Sequence, residues 1–322
     1  MSSLARPHPV REPEEFGKVA VLMGGTSSER DISLMSGEAV LKALRDRDVD
    51  AHAVDARDEV VAALQGGAFH RVWIALHGEG GEDGRMQGTL DTLGIPYTGS
   101  GVAACALSMD KLRTKQLLTA NGLGTPAFAV LNGEGGFERV LNKLGLPLIV
   151  KPASQGSSVG MTKVDSKEQL PGAFQEARRF DSCVLAEAWI VGAEYTAAIL
   201  SGAALPLVRI ETPNIFYDYQ AKYFSDDTRY FCPAGLTEAL ELGYQEAALA
   251  AFKALDGSGW GRVDFMVGDD TEPLFLEVNT VPGMTSHSLV PIAAKAAGLS
   301  FEELVWRILE TSFPSEAGGS RG

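Results

Sequence analysis

The sequence has few cysteines, no long apolar run and a deficit of basic residues, and each shortage excludes a class of protein. The 322 residues include three cysteines, none in a CxxC pair or at zinc-finger spacing from a histidine. No apolar run approaches the ~20 residues of a membrane-spanning helix. With 28 Lys+Arg against 42 Asp+Glu, the net charge is −14, which disfavours a nucleic-acid binder. We therefore expect reduced thiols, a cytoplasmic protein, and neither a membrane nor a nucleic-acid partner.

The first part of the chain has the pattern of an open parallel sheet. Residues 1–17 hold three prolines among charges and are expected to be a loose tail. From residue 18 to 110, short apolar runs alternate with helical patterns, which predicts βαβ units and an α/β fold. Polar glycine turns follow two of these strands, at Gly24-Gly25 and at 77–84. Ligands of such sheets bind beyond the carboxyl ends of the strands, so these turns are candidates for a site.

In the rest of the chain the succession of strand and helix patterns is different, and it predicts α+β units. We place a central domain at 111–190 and a C-terminal domain at 191–322, the latter ending in a disordered tail at 314–322. Between residues 212 and 233 lies a loop that carries seven aromatic residues among charges, without helical or strand periodicity. An aromatic loop of this kind is expected to be a functional lid.

A small-residue turn after Lys151 is a candidate phosphate loop. The lysine ends an apolar strand, and the following Gly and Ser residues allow backbone N–H groups and hydroxyls to approach phosphate oxygens. Two other interpretations stay open. The turn contains G-x-S-x-G with Ser157 at its centre, which is a serine-hydrolase elbow if a helix follows, and it is also compatible with a plain hairpin turn. The chain has no G-x-x-x-x-G-K-[ST] motif, and Gly99–Ala104 is read as a turn rather than a dinucleotide site.

Two late strands carry alternating polar side chains. Arg262 and Asp264 share one face of the first strand, and Glu277 and Asn279 share one face of the second. If the strands are neighbours, Asp264, Glu277 and Asn279 form a set of hard oxygen ligands suited to magnesium, and Arg262 stays free for an anion. The alternative is a surface salt bridge beside a Pro-Gly turn.

Seven segments, in this order, resemble the motif series of the D-alanine–D-alanine ligases of the ATP-grasp superfamily. The resemblance covers roughly residues 18–312. The segments are Gly24–Arg30, His77–Gly84, Ser108–Lys111, Lys151–Met161, Tyr217–Tyr223, Gly261–Asp264 and Glu277–Ser288.

The resemblance implies an N-terminal open parallel-sheet domain followed by the two-part ATP-grasp fold. It implies ATP-dependent ligation of two D-alanines through a D-alanyl phosphate, with release of ADP and phosphate, for peptidoglycan precursor synthesis. Two Mg²⁺ ions, with Mn²⁺ as a possible substitute, and a homodimer are implied as well. The alternatives are a D-alanine–D-lactate type or other ATP-grasp ligase and, outside the ligases, the serine hydrolase.

The resemblance also assigns the substrate and catalytic residues. Glu29 would hold the ammonium group of the first D-alanine, supported by Ser157 and by the lid residue Tyr223. Arg262 and the backbone N–H of Gly283 would stabilise the oxyanion. The full set of catalytic and substrate residues is Glu29, His77, Ser157, Tyr223, Arg262, Gly283, Ser288 and Leu289.

The remaining assignments concern ATP and metal. The metal ligands implied are Asp264, Glu277 and Asn279. The chain departs from the family at Ala188, where relatives commonly have a lysine after the adenine-edge glutamate. The residues implied for ATP are Lys111, Lys151, Ser157, Ser158, Glu187, Ile190, Glu194, Phe216, Lys222 and Asn279.

Overall fold

A computed structural model describes residues 9–57, 59–156, 158–212 and 228–313. Most of the predicted lid at 212–233 and the predicted tail at 314–322 therefore lie outside the described residues, as does Ser157. Within the described part, no helix is both long and apolar enough to span a membrane. The three cysteines are free, and Cys105 is buried.

The N-terminal unit is an open parallel sheet with three strands in the order β2-β1-β3, as the alternation of runs predicts. All five residues of β1 are buried because helices cover the sheet. The strands are β1 (Val19–Met23), β2 (Ala51–Asp55) and β3 (Arg71–Ile74), and the helices are α1 (Arg30–Arg45), α2 (Val60–Gly66) and α3 (Arg85–Leu93).

The prediction of a loose tail at 1–17 is wrong for residues 9–17. Val10 and Phe16 are buried, and the Phe16 ring meets that of Trp306 edge-on with centroids 4.9 Å apart. The backbone N–H of Val10 also donates to Glu310 Oε1 at 2.9 Å. The prolines and charges of this segment suggested a loose tail, but Val10 and Phe16 pack against residues near the C-terminal end of the chain.

The central unit is a four-stranded antiparallel sheet in the order β4-β7-β5-β6. It has a core of its own, built around residues such as Val150, Phe174 and Ala186. Its elements are β4 (Phe128–Leu131), α6 (Phe137–Leu144), β5 (Leu148–Pro152), β6 (Thr162–Val164), α7 (Leu170–Arg178) and β7 (Val184–Ala188).

The C-terminal unit is a six-stranded antiparallel sheet in the order β11-β10-β8-β12-β13, with β9 paired to β8. Its strands are β8 (Ala193–Leu200), β9 (Ala203–Ala204), β10 (Val208–Glu211), β11 (Arg229–Phe231), β12 (Trp260–Val267) and β13 (Pro273–Asn279). Its helices are α8 (Glu238–Ala254), α9 (Leu289–Ala296) and α10 (Phe301–Glu310). The two strands predicted to be neighbours, β12 and β13, do pair, with Asp264 opposite Glu277.

Two helices connect the units: α4 (Val102–Met109) and α5 (Lys111–Ala120). The predicted central domain starts at residue 111, but Leu118 on α5 packs in one core with Phe265 and Phe275 of the six-stranded sheet. By packing, therefore, α5 belongs with the C-terminal unit. The N-terminal and C-terminal units also share a core, in which the rings of Trp73 and Trp260 lie 5.4 Å apart. Among the described residues, the core of the central unit contains no residue of the other two units.

Candidate active site

A cleft of about 590 Å³ lies between the four-stranded and the six-stranded sheets. Strands and loops of both sheets supply its walls, and apolar residues such as Ile149 and Leu276 alternate there with charged ones. The predicted nucleotide and metal residues that line this cleft are Lys111, Lys151, Ser158, Glu187, Ile190, Glu194, Asp264 and Glu277.

At the floor of the cleft, one buried carboxylate is shared by two buried lysines. Lys151 Nζ lies 2.7 Å from Glu187 Oε1, and Lys115 Nζ lies 3.2 Å from Glu187 Oε2. Burial works to raise the pKa of Glu187, but the two lysines outweigh it and the pKa is lowered. Burial lowers the pKa of Lys115 to about 8. Lys115 was not among the residues predicted from the sequence, although it lies one helical turn after Lys111 on α5, a spacing that places both on one face.

Lys111 joins the central unit to the C-terminal unit. Its Nζ donates to the backbone oxygen of Gln155 at 2.8 Å, and its backbone N–H donates to Ala153. The same Nζ lies 3.6 Å from Glu277 Oε2 on β13. The lysine thereby holds the candidate phosphate loop against the strand that carries the predicted metal ligands.

A second, smaller cavity adjoins the cleft and contains the predicted substrate residues. The residues that line it include Glu29, His77, Gly78, Glu82, Lys111, Gly156, Arg262, Glu277, Asn279 and Gly283. Glu277 and Lys111 line both cavities, so a molecule in one would meet a molecule in the other at β13.

Two glycines lie beside the Glu29 carboxylate, and Gly78 leaves room for it. A Cβ on Gly78 would lie 2.9 Å from Glu29 Oε2, and a Cβ on Gly156 would lie 3.5 Å from the same oxygen. Gly78 also has a φ of +70°, which favours glycine. Glu29 therefore lies between the His-Gly turn and Gly156 of the candidate phosphate loop.

His77 has both ring nitrogens engaged by the protein. Nδ1 lies 2.9 Å from the backbone oxygen of Val281, and Nε2 lies 3.0 Å from Ser36 Oγ. Burial lowers the pKa of His77, which favours the neutral ring. His77 lines the cavity as predicted, but its contacts run to α1 and to the turn after β13.

Glu82 is a cavity residue to which the sequence analysis gave no role. Its Oε2 accepts a hydrogen bond from the backbone N–H of Gly78 at 2.7 Å. Burial and the nearby Glu29 carboxylate raise the pKa of Glu82 to about 8. The signal was present in the sequence, because Glu82 follows a Gly-Gly pair within the same turn as His77.

The sequence predicted that Arg262 is free for an anion, and this prediction is wrong. Arg262 forms a bidentate ion pair with Asp264. Arg262 Nε donates to Oδ1 at 2.8 Å and Nη2 donates to Oδ2 at 2.7 Å. Thr196 and Asn279 donate to the same carboxylate, at 2.5 and 3.1 Å. Alternation along a strand placed the two residues on one face but could not reveal that they pair.

The oxygen donors at β12 and β13 fit a magnesium ion. Asp264 and Glu277 are directly opposite across the strand pair, where like charges repel unless a cation lies near both. In this structure Arg262 and Lys111 supply that positive charge. Within the described part of the chain, no three His, Cys, Asp or Glu side chains group as metal ligands, so the predicted set depends on the amide of Asn279 as its third member.

The other predicted residues lie elsewhere or cannot be described. Ser288 precedes α9, and its hydroxyl accepts from the Thr285 backbone N–H at 2.9 Å, while Leu289 is buried in the shared core. Strand β6, rather than a helix, follows the turn at 158–160, which contradicts a serine-hydrolase elbow. Four predicted residues lie outside the described residues: Ser157, Phe216, Lys222 and Tyr223.

An open parallel-sheet unit joined to two antiparallel sheets that enclose a lysine-floored cleft defines the ATP-grasp class of ligases. Residues 117–310 match the family model described as the C-terminus of D-ala D-ala ligase. A D-alanine–D-alanine ligase of Alkalilimnicola ehrlichii is 57% identical over 94% of this chain and 97% of its own. The chain therefore belongs to the D-alanine–D-alanine ligase family.

Solved structures agree with this family. A D-alanine–D-alanine ligase from Bacillus anthracis superposes with a TM-score of 0.83 at 38% identity, covering 92% of this chain and 97% of its own. The structure titled as a complex of the Bacillus anthracis ligase with ATP superposes with a TM-score of 0.80 at 36% identity, again covering 92% and 97%. The α/β prediction with an ATP-grasp part is confirmed.

Proposed function

We propose that the protein joins two molecules of D-alanine into D-alanyl-D-alanine at the expense of ATP, for peptidoglycan precursor synthesis. The observation that carries this proposal is the junction of the two cavities at β13. The cleft has buried lysines suited to a triphosphate, and the smaller cavity has a carboxylate, Glu29, suited to an ammonium group. A reaction that transfers phosphate from one cavity to a carboxylate in the other requires this arrangement.

In the first step, a carboxylate oxygen of the first D-alanine attacks the γ-phosphorus of ATP, and the bond to the β-phosphate oxygen breaks to release ADP. Glu29 holds the substrate ammonium, and Lys111 and Lys151 face the phosphates. Lys222 and Phe216 are proposed for ATP, and Ser157 and Tyr223 for the substrate, on the family motifs alone. The product is an acyl phosphate, which water would hydrolyse in an open site.

In the second step, the uncharged amine of the second D-alanine attacks the acyl carbon, and an oxyanion forms before inorganic phosphate leaves. The amine reaches this step by losing one proton from its ammonium form, and the new peptide nitrogen loses another; the departing phosphate takes up one of these protons and water the other. Arg262 and the Gly283 backbone N–H are proposed to donate to the oxyanion, as donors of this kind contribute strongly to rate. Ser288 and Leu289 are proposed beside the second substrate, as in the family motif.

We propose two magnesium ions, replaceable by manganese, at Asp264, Glu277 and Asn279. When bound, these ions would offset the charge of the triphosphate oxygens. Asp264 must then share its carboxylate between Arg262 and metal. We expect Asp264→Asn to raise the magnesium concentration needed for half-maximal activity by about tenfold, since a charged ligand becomes a neutral one. An unchanged magnesium titration would contradict the metal assignment.

The test of the whole proposal is release of ADP with Mg-ATP and one candidate substrate at a time, with the product identified by mass. D-Alanine should give ADP and D-alanyl-D-alanine, whereas L-alanine should give neither. A mixture of D-alanine and D-lactate should give dipeptide rather than ester at neutral pH, because Tyr223 stands where depsipeptide-forming relatives usually lack it. Absence of dipeptide with D-alanine would refute the function.

Two further proposals concern context. We propose a homodimer on the family resemblance, to be tested by light scattering of the full chain, where a monomeric mass would contradict it. We propose a cytoplasmic location because the reaction consumes ATP and the three cysteines are free thiols. Fractionation of cells that express the tagged protein tests the location.

A further inference from the structure

Ser36 is a buried hydroxyl on α1 that contacts two different parts of the substrate cavity. It is fully buried, and its Oγ lies 3.0 Å from His77 Nε2 and 3.1 Å from the backbone nitrogen of Met284. His77 belongs to the turn after β3, whereas Met284 belongs to the turn after β13. One serine of the N-terminal unit therefore contacts both the turn after β3 and the turn after β13.

The chemistry of the partners gives these hydrogen bonds one direction. The Val281 backbone oxygen can only accept, so His77 carries its proton on Nδ1 and donates there. In the neutral ring Nε2 is then an acceptor, and the Ser36 hydroxyl must donate to it. The Met284 N–H in turn donates to Ser36 Oγ. The chain of donors starts at Met284 and ends at Val281.

This chain begins and ends on the same short turn. Val281 and Met284 are the first and last residues of Val281-Pro-Gly-Met284, and Gly283 lies between them. His77 hydrogen-bonds to the Val281 end of the turn and Ser36 to the Met284 end. Ser36 and His77 also hydrogen-bond to each other. The Ser36 and His77 side chains of the N-terminal unit therefore contact both ends of the turn that carries the Gly283 N–H.

We propose that Ser36 is a positioning residue, which aims the Gly283 N–H at the oxyanion by holding both His77 and the Met284 end of the turn. The proposal rests on the function proposed above, since it concerns the second step of that reaction. Loss of the hydroxyl would leave Nε2 and the Met284 N–H without their partner, and the turn would lose one of its two fixed ends. The acyl phosphate would still form but would be intercepted less efficiently by the amine.

Ser33 offers a matched control on the same helix. It is also fully buried, and its hydroxyl likewise accepts from a backbone N–H, that of Gly24 at 2.9 Å, and donates to an acceptor, the Ala75 oxygen at 2.7 Å. These contacts stay within the N-terminal unit. Ser33→Ala and Ser36→Ala therefore remove the same chemistry at equal burial, but only the second touches His77 and the 281–284 turn.

The experiment compares the full-length wild type with Ser33→Ala, Ser36→Ala and Ser36→Cys, measuring kcat, both KM values and the ratio of ADP released to dipeptide formed. We expect Ser36→Ala to lower kcat about tenfold, to leave the ATP KM within twofold, and to raise the ratio from about one to above two. Ser33→Ala should keep the kcat within twofold and the ratio near one. Ser36→Cys, which keeps the volume with a weaker donor, should show the same changes to a smaller degree.

A spectroscopic measurement separates positioning from general destabilisation. In protein labelled with ¹⁵N-histidine, the Nε2 resonance of His77 should move in Ser36→Ala and stay in place in Ser33→Ala. Equal kcat and equal ratios in the two alanine variants would overturn the proposal while leaving the ligase function intact. Failure of the wild type to form dipeptide would instead remove the function on which it rests. If Ser36→Ala does not fold, Ser36→Cys decides the matter by the same measurements.

Discussion

The two cavities of the site accommodate buried titratable groups in opposite ways. In the nucleotide cleft, the Glu187 carboxylate stays ionised because Lys115 and Lys151 lie within 3.2 and 2.7 Å of it. In the substrate cavity, burial lowers the pKa of His77 and raises that of Glu82 to about 8, so both groups favour their neutral forms. The first region keeps a buried carboxylate charged by pairing it with lysines, whereas the second keeps His77 and Glu82 neutral.

This difference suits what each cavity is proposed to hold. A triphosphate brings several negative charges, and a buried carboxylate between two lysines holds these cations in place against their mutual repulsion. An amino acid brings one charge of each sign, and two fixed groups, Glu29 and Arg262, are enough to pair with it. A further charge on His77 or Glu82 would compete with that recognition.

The largest expected effect comes from Arg262, which lines the substrate cavity and pairs with Asp264 of the nucleotide cleft. We expect Arg262→Ala to lower kcat by about 10²–10³, because an oxyanion donor is lost, and to leave the ATP KM within threefold. Steady-state kinetics with each substrate varied in turn measures both values. A kcat within threefold of the wild type would remove Arg262 from the chemistry.

The charge-balanced region is tested by Lys115→Met. One of the two cations on Glu187 is lost, and we expect the free energy of unfolding to fall by about 2–4 kcal/mol. Urea denaturation measures this change, and a rise in the ATP KM should accompany it through Lys151. The control is Lys143→Met, an exposed lysine that donates to the Phe128 oxygen, which should change stability by less than about 0.5 kcal/mol. Equal losses of stability in Lys115→Met and Lys143→Met would show that the buried Lys115–Glu187 pair contributes no more than an exposed lysine.

The space around Glu29 is tested by Gly78→Ala. The new Cβ would lie 2.9 Å from Glu29 Oε2, so the carboxylate must move, and we expect the D-alanine KM to rise about tenfold, or ~1.4 kcal/mol. Gly122→Ala is the control, since its φ of +73° imposes the same backbone strain with no atom within 4 Å of the added Cβ. Both variants should lose ~1 kcal/mol of stability. A rise in KM in both would attribute the effect to strain alone.

The neutralised region is tested by Glu82→Gln across pH. The native pKa of about 8 lies above the ordinary value of 4.5, so the folded protein keeps a proton that the unfolded chain releases in this window. Wild-type stability should therefore fall as the pH rises from 5 to 9, by about 1–2 kcal/mol relative to the variant. Gln keeps an acceptor for the Gly78 N–H. Parallel stability curves for the two proteins would show that Glu82 is ionised throughout.

Local sequence patterns predicted the architecture. They could not predict contacts between residues that are far apart in the sequence. Alternation along β12 and β13 predicted which polar side chains share a face, and the glycine turn at 77–84 supplies residues that line the smaller cavity. Lys115 and Ser36 could not be assigned from their surroundings, because each looks like an ordinary helix residue until another unit covers it. The prediction of a loose tail was wrong at residues 9–17 for the same reason, because the contact between Phe16 and the distant Trp306 is not visible in the local sequence.

The separate core of the central unit has a consequence for how the molecule opens. Its four-stranded sheet joins the rest of the chain through short connections near residues 124–127 and 189–192, whereas the other two units share one core. In native-state hydrogen exchange, its amides should form one cooperative unit that exchanges at a lower free energy than those of β1. The part of the cleft floor that this unit supplies, with Lys151 and Glu187, would then unfold before β1, and bound nucleotide should protect it.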